Sequence, residues 1–507
     1  MSPSRPITLT VGTLAWLSRC ERRVWLDRYG DRTLRVSNSP MATRHAMAGV
    51  VHEAEVMATM LAPAQPVVVP DWPALIAETQ ALMQAGAATI RQGGLEAHWD
   101  SGMRLCGRPD VLRRAPQPSR LGAWSYEPVE IKQHGAATSH DATQLDLYRW
   151  LLTQVQGHTP EGELWLGAED GRPAAIIRRS DPLDALEQHL LPVIRLRQDT
   201  EPPITFARHC AYCVWRSACN GVAEARQDIA LLTGLDRRTA EALRRDGVTT
   251  LETLAALPTT RLACYPYAGV SRAAQFHAHA QALLSRAPYR KAEPPLLLPT
   301  PALFFDIESR PDTQEPWAFG LLDAVGNPGI AIVSARHVTA GRTHATITGI
   351  PVVFVRDVAA GWQQVAARAG RDAGAILHWG RYEQTCLDRT GGERAQAVLR
   401  SRLADLHPML DHRYALPISR GPAQTAGSLK AVGAYLGHRW PDEADWLIAW
   451  EQYTTWQGLV AQAPFGGAPA AELDAHLAPA LAYLRADLEA LRHVWVWLVA
   501  REAPSVP

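Results

Sequence analysis

The hydrophobic pattern changes its period along the chain, and each change marks a different kind of element. Val129-Glu130-Ile131-Lys132 alternates with period two, so a strand there puts Glu130 and Lys132 on one face and Val129 and Ile131 on the other. Residues 95–112 read as two strands around an Asp-Ser-Gly turn at 100–102, with further strands at 162–167 and 174–178. Helical spacing covers 73–92 and 141–153, which makes the first part an alternating α/β core. From Glu224 helices take over: 229–235, then 237–246, Gly247-Val248 and 249–257 read as helix, short hairpin and helix. A weaker copy runs from Tyr267 into an alanine-rich helix ending near Leu284. Pro288, Pro294, Pro295, Pro299 and Pro301 stiffen 287–301 into an extended linker. The last third opens on Leu303-Phe304-Phe305-Asp306-Ile307-Glu308, a buried strand carrying two acids that point the same way.

Composition narrows the class. The chain has 507 residues, 47% of them hydrophobic and 20% charged, which suits several domains with real cores and excludes a disordered chain. Basic and acidic residues balance at 51 each, so no global field draws in nucleic acid, and binding falls to local patches such as Arg104, Arg108, Arg113 and Arg114. The first residues lack a long apolar core and no run reaches membrane-spanning length, so a soluble cytoplasmic protein without membrane attachment is expected. Seven cysteines, an odd number, do not suit a disulfide framework there.

The chemistry concentrates between Gly107 and Tyr148. Asp110 and Glu130 are hard oxygen ligands suited to Mg2+ or Mn2+. Lys132, on the Glu130 face, is placed to lower the pKa of a bound water or to stabilise charge building on a phosphate. Gln144 and Tyr148, four apart, share a helix face. In this order the residues resemble the PD-(D/E)XK nuclease domain of the RecB type. Gly49-Val50-Val51-His52-Glu53 matches that group's first motif, Asp110 the second, Glu130 and Lys132 the third, and Gln144 with Tyr148 the QxxxY motif. The resemblance implies a metal held by His52, Asp110 and Glu130. His134 and His140, close to the Lys132 strand end, read as loop histidines, and Trp165 as a core residue.

Cys210, Cys213 and Cys219 form a CxxC-x5-C cluster that closes this domain, and Cys20 lies far upstream. Three thiolates at this spacing plus a distant fourth suit a [4Fe–4S] cluster or a tetrahedral zinc. RecB-like nucleases of the AddB and CRISPR-adaptation kinds carry an iron–sulfur cluster with one cysteine before the nuclease motifs and three after, and the resemblance implies the same staple here. Cys106, Cys264 and Cys386 read as packing residues.

Asp306 and Glu308 on one strand, with Tyr483 and Asp487 four apart on a late helix, give paired acids and an aromatic hydroxyl. They resemble the first and last motifs of the RNase H-like fold of DEDD exonucleases. In the middle motif Glu383 stands where Asp is usual and Trp379 where Asn is usual, while Asp405 and Ser428-Leu429-Lys430 fit later positions. The resemblance implies that Asp306, Glu308 and Asp487 bind metal, with Glu383 and Tyr483 joining the catalytic set.

The middle helices resemble a helix-hairpin-helix module, which grips the DNA backbone, although only Gly247 of the usual Gly-X-Gly is present. The expected architecture is therefore a multidomain α/β chain. A restriction-endonuclease-like PD-(D/E)XK core occupies 1–223, the helical region 224–286, the linker 287–301 and the RNase H-like domain 302–507. The implied activity is metal-dependent hydrolysis of DNA phosphodiesters, at ends or single strands, in repair, recombination or processing. No Walker phosphate loop occurs, so unwinding would fall to a separate helicase. The other class is a nucleic-acid-binding scaffold with a degenerate exonuclease domain that serves a partner.

Overall fold

The computed structural model describes residues 7–502 except 38–39, 61–64, 67–70, 101–102, 185, 187–199, 292–297, 334, 372, 423–425, 442–444 and 463–469. Ser101 and Gly102 of the expected turn, and Pro294 and Pro295 of the expected linker, lie outside the described residues. The chain divides into two compact units, residues 1–223 and 224–507. Among the described residues no helix is long and apolar enough to cross a membrane.

The first unit comprises β1 (Ile7–Thr10), α1 (Glu21–Tyr29), α2 (Pro40–Met60), α3 (Trp72–Gln84), β2 (Thr89–Arg91), β3 (Leu95–Asp100), β4 (Met103–Gly107), β5 (Val111–Ala115), β6 (Ser125–Lys132), α4 (Ser139–Gln156), β7 (Gly162–Leu166), β8 (Ala175–Arg179) and α5 (Arg216–Arg226). Its main sheet runs β2-β5-β6-β7-β8, with Gln65–Pro66 on the outer edge of β2, and a smaller sheet runs β1-β4-β3. β6 and β7 are parallel, joined by the crossover helix α4, whose Leu145, Leu147, Leu151 and Leu152 are buried. A capping box starts α4: the Thr138 hydroxyl accepts from the Asp141 amide and the Asp141 carboxylate accepts from the Thr138 amide.

Two expectations from periodicity needed correction. The helical spacing over 73–92 is broken after Gln84, where Gly86 takes φ +69° and 89–91 turn into a strand. The alanines there fit either period, and a left-handed glycine decided the outcome. The stretch 95–112 holds two whole strands and the start of a third, because the chain bends between Gly107 and Val111 and so places Asp110 at a strand start.

The second unit begins with helices α6 (Arg237–Arg245), α7 (Leu251–Ala255) and α8 (Gly269–Ser285), followed by the short β9 (Tyr289–Arg290). The sheet elements are β10 (Pro301–Ser309), β11 (Pro316–Asp323), β12 (Pro328–Val333), β13 (His344–Ile347), β14 (Ile350–Val355), β15 (Ala375–His378) and β16 (Leu403–Asp405). They pair in the order β13-β14-β12-β11-β10-β15-β16. β10, β11 and β12 form an antiparallel meander, while β15 and β16 run parallel to β10. Around them lie β17 (Tyr414–Ala415), α9 (Val358–Ala369), α10 (Tyr382–Thr390), α11 (Leu429–Tyr435), α12 (Trp446–Gln462) and α13 (Ala478–Glu502).

Strand parity on β10 sorts its side chains. Leu303, Phe305 and Ile307 enter the core shared with Trp362 and Leu387, and Phe304 enters the core shared with Leu488 and Leu491 of α13. Asp306 and Glu308 share Phe304's parity and so face α13. Asp306 pairs with Gly320 of β11, where a Cβ would lie 2.8 Å from a Leu484 methyl. Glycine there lets α13 approach the acid-bearing strand.

The helical region packs into this unit. β9 pairs with β17, the His279 ring contacts the Ile418 carbonyl at 3.0 Å, and Arg420 donates to the Leu235 carbonyl at 2.6 Å.

Candidate active sites

The first site grows out of the β5–β6 register. Val111 faces Val129, which sets Asp110 beside Glu130 at the end of the ladder. The Asp110 carboxylate accepts from the Ile131 amide at 2.8 Å, and the Asp110 amide donates to Glu130 at 3.2 Å. Lys132 Nζ donates to Glu130 Oε2 at 2.7 Å. Tyr148 donates to the Arg108 carbonyl at 3.0 Å and is hydrogen-bonded to Gln144, so the α4 pair braces the loop carrying Asp110. Gly107 makes room for that contact, since a Cβ there would sit 2.6 Å from the Tyr148 ring.

Electrostatics mark the same group. Burial and the neighbouring Asp110 push the Glu130 carboxyl up to about 8. Burial also raises Asp110, against the pull of Lys132. Lys132 is itself nearly buried, which disfavours its charge, yet Glu130 and Asp110 outweigh this and hold the ammonium above its usual range. A carboxylate pair raised by desolvation is a pair that gains by taking a cation.

Two residues of this site went unused in the sequence argument. Glu53 on α2 is raised by burial and by Asp110, and Gln92 bridges the two acids at 2.5 Å and 3.3 Å. Glu53 stands next to His52 in the quoted motif, which was the available signal. Gln92, at φ +53°, had none. His52 is buried with Nε2 unpartnered, an orphaned donor set suited to a metal. Even so, His52, Asp110 and Glu130 do not bring three donor atoms within 4.8 Å of one another.

The basic patch expected beside this site is largely spent on the fold. Arg104 pairs with Glu96 at 3.1 Å, Arg113 with Glu127 and Glu163 at 3.1 Å and 2.9 Å, and Arg114 donates to the Gly86 carbonyl at 2.6 Å. His134 meets Asp141 at 2.9 Å, His140 meets the Ala15 carbonyl at 2.9 Å, and Trp165 is buried against Glu163.

Cys20 starts α1, Cys210 and Cys213 lie before α5, and Cys219 lies on α5. Burial raises Cys20, Cys219 and Cys210, the last to about 12, and each thiol feels the charge of others in the set. Amides of Ala207 and Trp215 donate to Cys210 Sγ and Cys213 Sγ at 3.4 Å and 3.5 Å. No three of the sulfurs lie mutually within 4.8 Å. Tetrahedral zinc at about 2.3 Å from each sulfur requires sulfurs about 3.8 Å apart. Cys106 and Cys386 are buried, but Cys264 is exposed and so is not the packing residue expected.

In the second unit Asp306, Glu308 and Asp487 bring three carboxylate oxygens within 4.8 Å of one another, the one such group of metal-ligating side chains among the described residues. Burial and mutual repulsion raise Asp306 and Glu308 well above the usual range, and burial raises Asp487 to about 6. Tyr483 is hydrogen-bonded to Asp487, and its hydroxyl is pushed far up by burial and the three acids. Trp440 Nε1 donates to Asp487 Oδ1 at 2.6 Å, and Lys430 Nζ lies 4.7 Å from the Tyr483 ring centre. Three like charges in a half-dry site fit a bound cation. Glu383 stands outside this trio: it is 3% exposed and its carboxylate lies 3.3 Å from His378 Nδ1, although its charge reaches Asp306.

The Asp110, Glu130 and Lys132 group makes the first unit a candidate metal-dependent nuclease domain. The family model of the PD-(D/E)XK nuclease superfamily matches residues 16–220, and this stretch has that nuclease fold. The match takes in Asp110, Glu130, Lys132, Cys20, Cys210, Cys213 and Cys219. No curated protein matches the chain.

Proposed function

We propose that the chain is a nuclease with two hydrolytic sites that cuts DNA at ends or in single strands, in repair, recombination or processing. The observation that carries this reading is Asp110 and Glu130 side by side at one strand end with Lys132 on Glu130. Asp110 and Glu130, with His52 or Glu53 as a further donor, would hold Mg2+ or Mn2+, which activates water and shields phosphate charge. Lys132 faces the same spot, placed to stabilise charge on the attacked phosphate. Gln144 and Tyr148 fix the loop that presents Asp110.

In the second unit a 3-2-1-4-5 order of the strands β12-β11-β10-β15-β16 supports an RNase H-like fold. The acid trio, with Tyr483 beside it, supports a DEDD-type exonuclease site. Cys20, Cys210, Cys213 and Cys219 would hold a [4Fe–4S] cluster as a RecB-like staple. A structural zinc on the same four cysteines is the alternative. The helix-hairpin-helix-like region would grip a DNA backbone, and a separate helicase would supply unwound strands.

A second reading, a nucleic-acid-binding scaffold with a degenerate exonuclease domain, is favoured by one observation: Glu383 rests against His378, outside the trio. End-labelled single- and double-stranded DNA and RNA, each with Mg2+, Mn2+ or EDTA, separate the readings. Metal-dependent cutting is expected. Strand binding without cutting under every condition would leave the scaffold.

A further inference from the structure

Two cavities of the second unit share a wall. The first, about 580 Å³, holds Asp306, Tyr483 and Asp487 and is bounded by Trp379, Ser428 and Lys430. The second, about 200 Å³, lies between the helical region and the sheet domain and is bounded by Gln275, His279, His407, Ile418, Gly427 and Val432. The partition is thin. Trp379 of the first cavity packs against His407 of the second, ring centres 5.0 Å apart at 35°, and its indole N–H donates to the Gly427 carbonyl at 3.0 Å. Gly427 is needed there, because a Cβ would lie 3.0 Å from the His407 ring.

The walls of the second cavity say what would fit. Leu410, Leu416, Ile418 and Val432 make it apolar. His279 is locked, its Nδ1 accepting from the Thr233 amide at 3.1 Å and its Nε2 meeting the Ile418 carbonyl at 3.0 Å. Burial keeps it neutral, lowered to about 4. The cation at the rim, Lys291, is tied to Asp411 at 3.3 Å. A phosphate finds no open charge there. A flat neutral heteroaromatic ring finds apolar walls, and Gln275 at the rim offers amide donors and an acceptor.

We propose that this second cavity is a nucleobase subsite, filled by a base of the same single strand whose backbone crosses the acid trio, with Trp379 and His407 as the aromatic wall between them. The inference rests on reading the trio as a hydrolytic site. It also gives the helical region a part in substrate binding, since α8 supplies Gln275 and His279.

The test uses the full chain carrying Lys132→Ala, in EDTA, with five-nucleotide single strands in which one abasic residue is moved through each position. One internal position should weaken binding about tenfold when its base is missing, and the others should do so far less. Ala426→Phe, which fills the cavity, should erase that position's effect; Gln275→Trp at the rim is the second variant if Ala426→Phe melts early. A flat scan, an unchanged scan in both variants, or no strand binding would overturn the subsite. Mn2+ binding to the same chain with and without Asp306→Ala, and trimming of the strand when Mn2+ is added, report on the trio separately. Trimming with a flat scan removes the subsite alone; no Mn2+ binding and no trimming removes both.

Discussion

The two acidic sites hold similar residues but differ in how their charge is balanced. In the first, Glu130 already has Lys132 at 2.7 Å and Asp110 has the Ile131 amide at 2.8 Å. In the second, three carboxylates crowd within 4.8 Å, with Trp440 donating to one of them and Lys430 beside the Tyr483 ring. A site whose acids share a lysine can fold without metal and needs it for chemistry. The second site sets three acids against Lys430, whose charge lowers Glu308 and Asp487, and so gains more from a metal. The same residue types therefore couple metal to stability at both sites, more strongly at the second.

The largest effect should come from breaking the balanced site. Asp110→Ala, Glu130→Ala and Lys132→Ala, each in a chain carrying Asp306→Ala, should lower cleavage about 10²–10³-fold while the melting temperature stays near that of the parent. Cleavage rates and a thermal melt on the same preparation check both halves.

Removing the proposed cysteine staple should come next. Protein purified without oxygen should carry iron and sulfide, and Cys20→Ser should lose both as fully as Cys210→Ser, Cys213→Ser or Cys219→Ser. Cys20 closes the longest loop, so its loss leaves the most chain entropy unopposed. Iron and sulfide analysis with a melt reads the result; colourless protein with one zinc would replace the cluster by zinc.

A smaller effect is the response of stability to pH in metal-stripped protein. Glu130 is raised to about 8 and Asp487 to about 6, so the folded chain binds more protons than the unfolded one between their ordinary and raised values. The stability these two groups contribute should therefore be full below their ordinary values and fall as pH rises toward 8. Mn2+ should restore it most at the high end, and Asp306→Asn should flatten the slope more than Gln144→Ala does. Differential scanning calorimetry across that range would show it.

The smallest expected effect is at Trp440→Phe, which keeps the ring but removes the N–H that holds Asp487. Trimming by the Lys132→Ala chain should fall roughly threefold to tenfold, as expected for one lost hydrogen bond to a charged group, with Mn2+ still bound.

Much of this comparison was legible in the sequence. Period-two alternation placed Glu130 and Lys132 on one face, and the same rule placed Asp306 and Glu308 together. Four-residue spacing paired Gln144 with Tyr148 and Tyr483 with Asp487. What stayed hidden depended on contacts between distant segments. Gln92 reaches Glu53 and Asp110 from a left-handed turn, and Trp440 reaches Asp487 across 47 residues. The charge of Arg104, Arg113 and Arg114 looked free because their acid partners lie on other strands and the Gly86 carbonyl lies in a turn. The docking of the helical region stayed hidden as well, because it uses backbone carbonyls, those of Ile418 and Leu235, which carry no sequence signal.

The central claim is that one chain holds two separate metal-dependent hydrolytic sites. Its most direct measurement is the digestion of end-labelled DNA, with Mg2+ and with Mn2+, by four full-length proteins: the unaltered chain, Lys132→Ala, Asp306→Ala and the double variant. The account predicts that each single variant keeps a cleavage pattern the other lacks, and that the double variant is inert. A Lys132→Ala chain as inert as the double variant, or a double variant that still cuts, would contradict it.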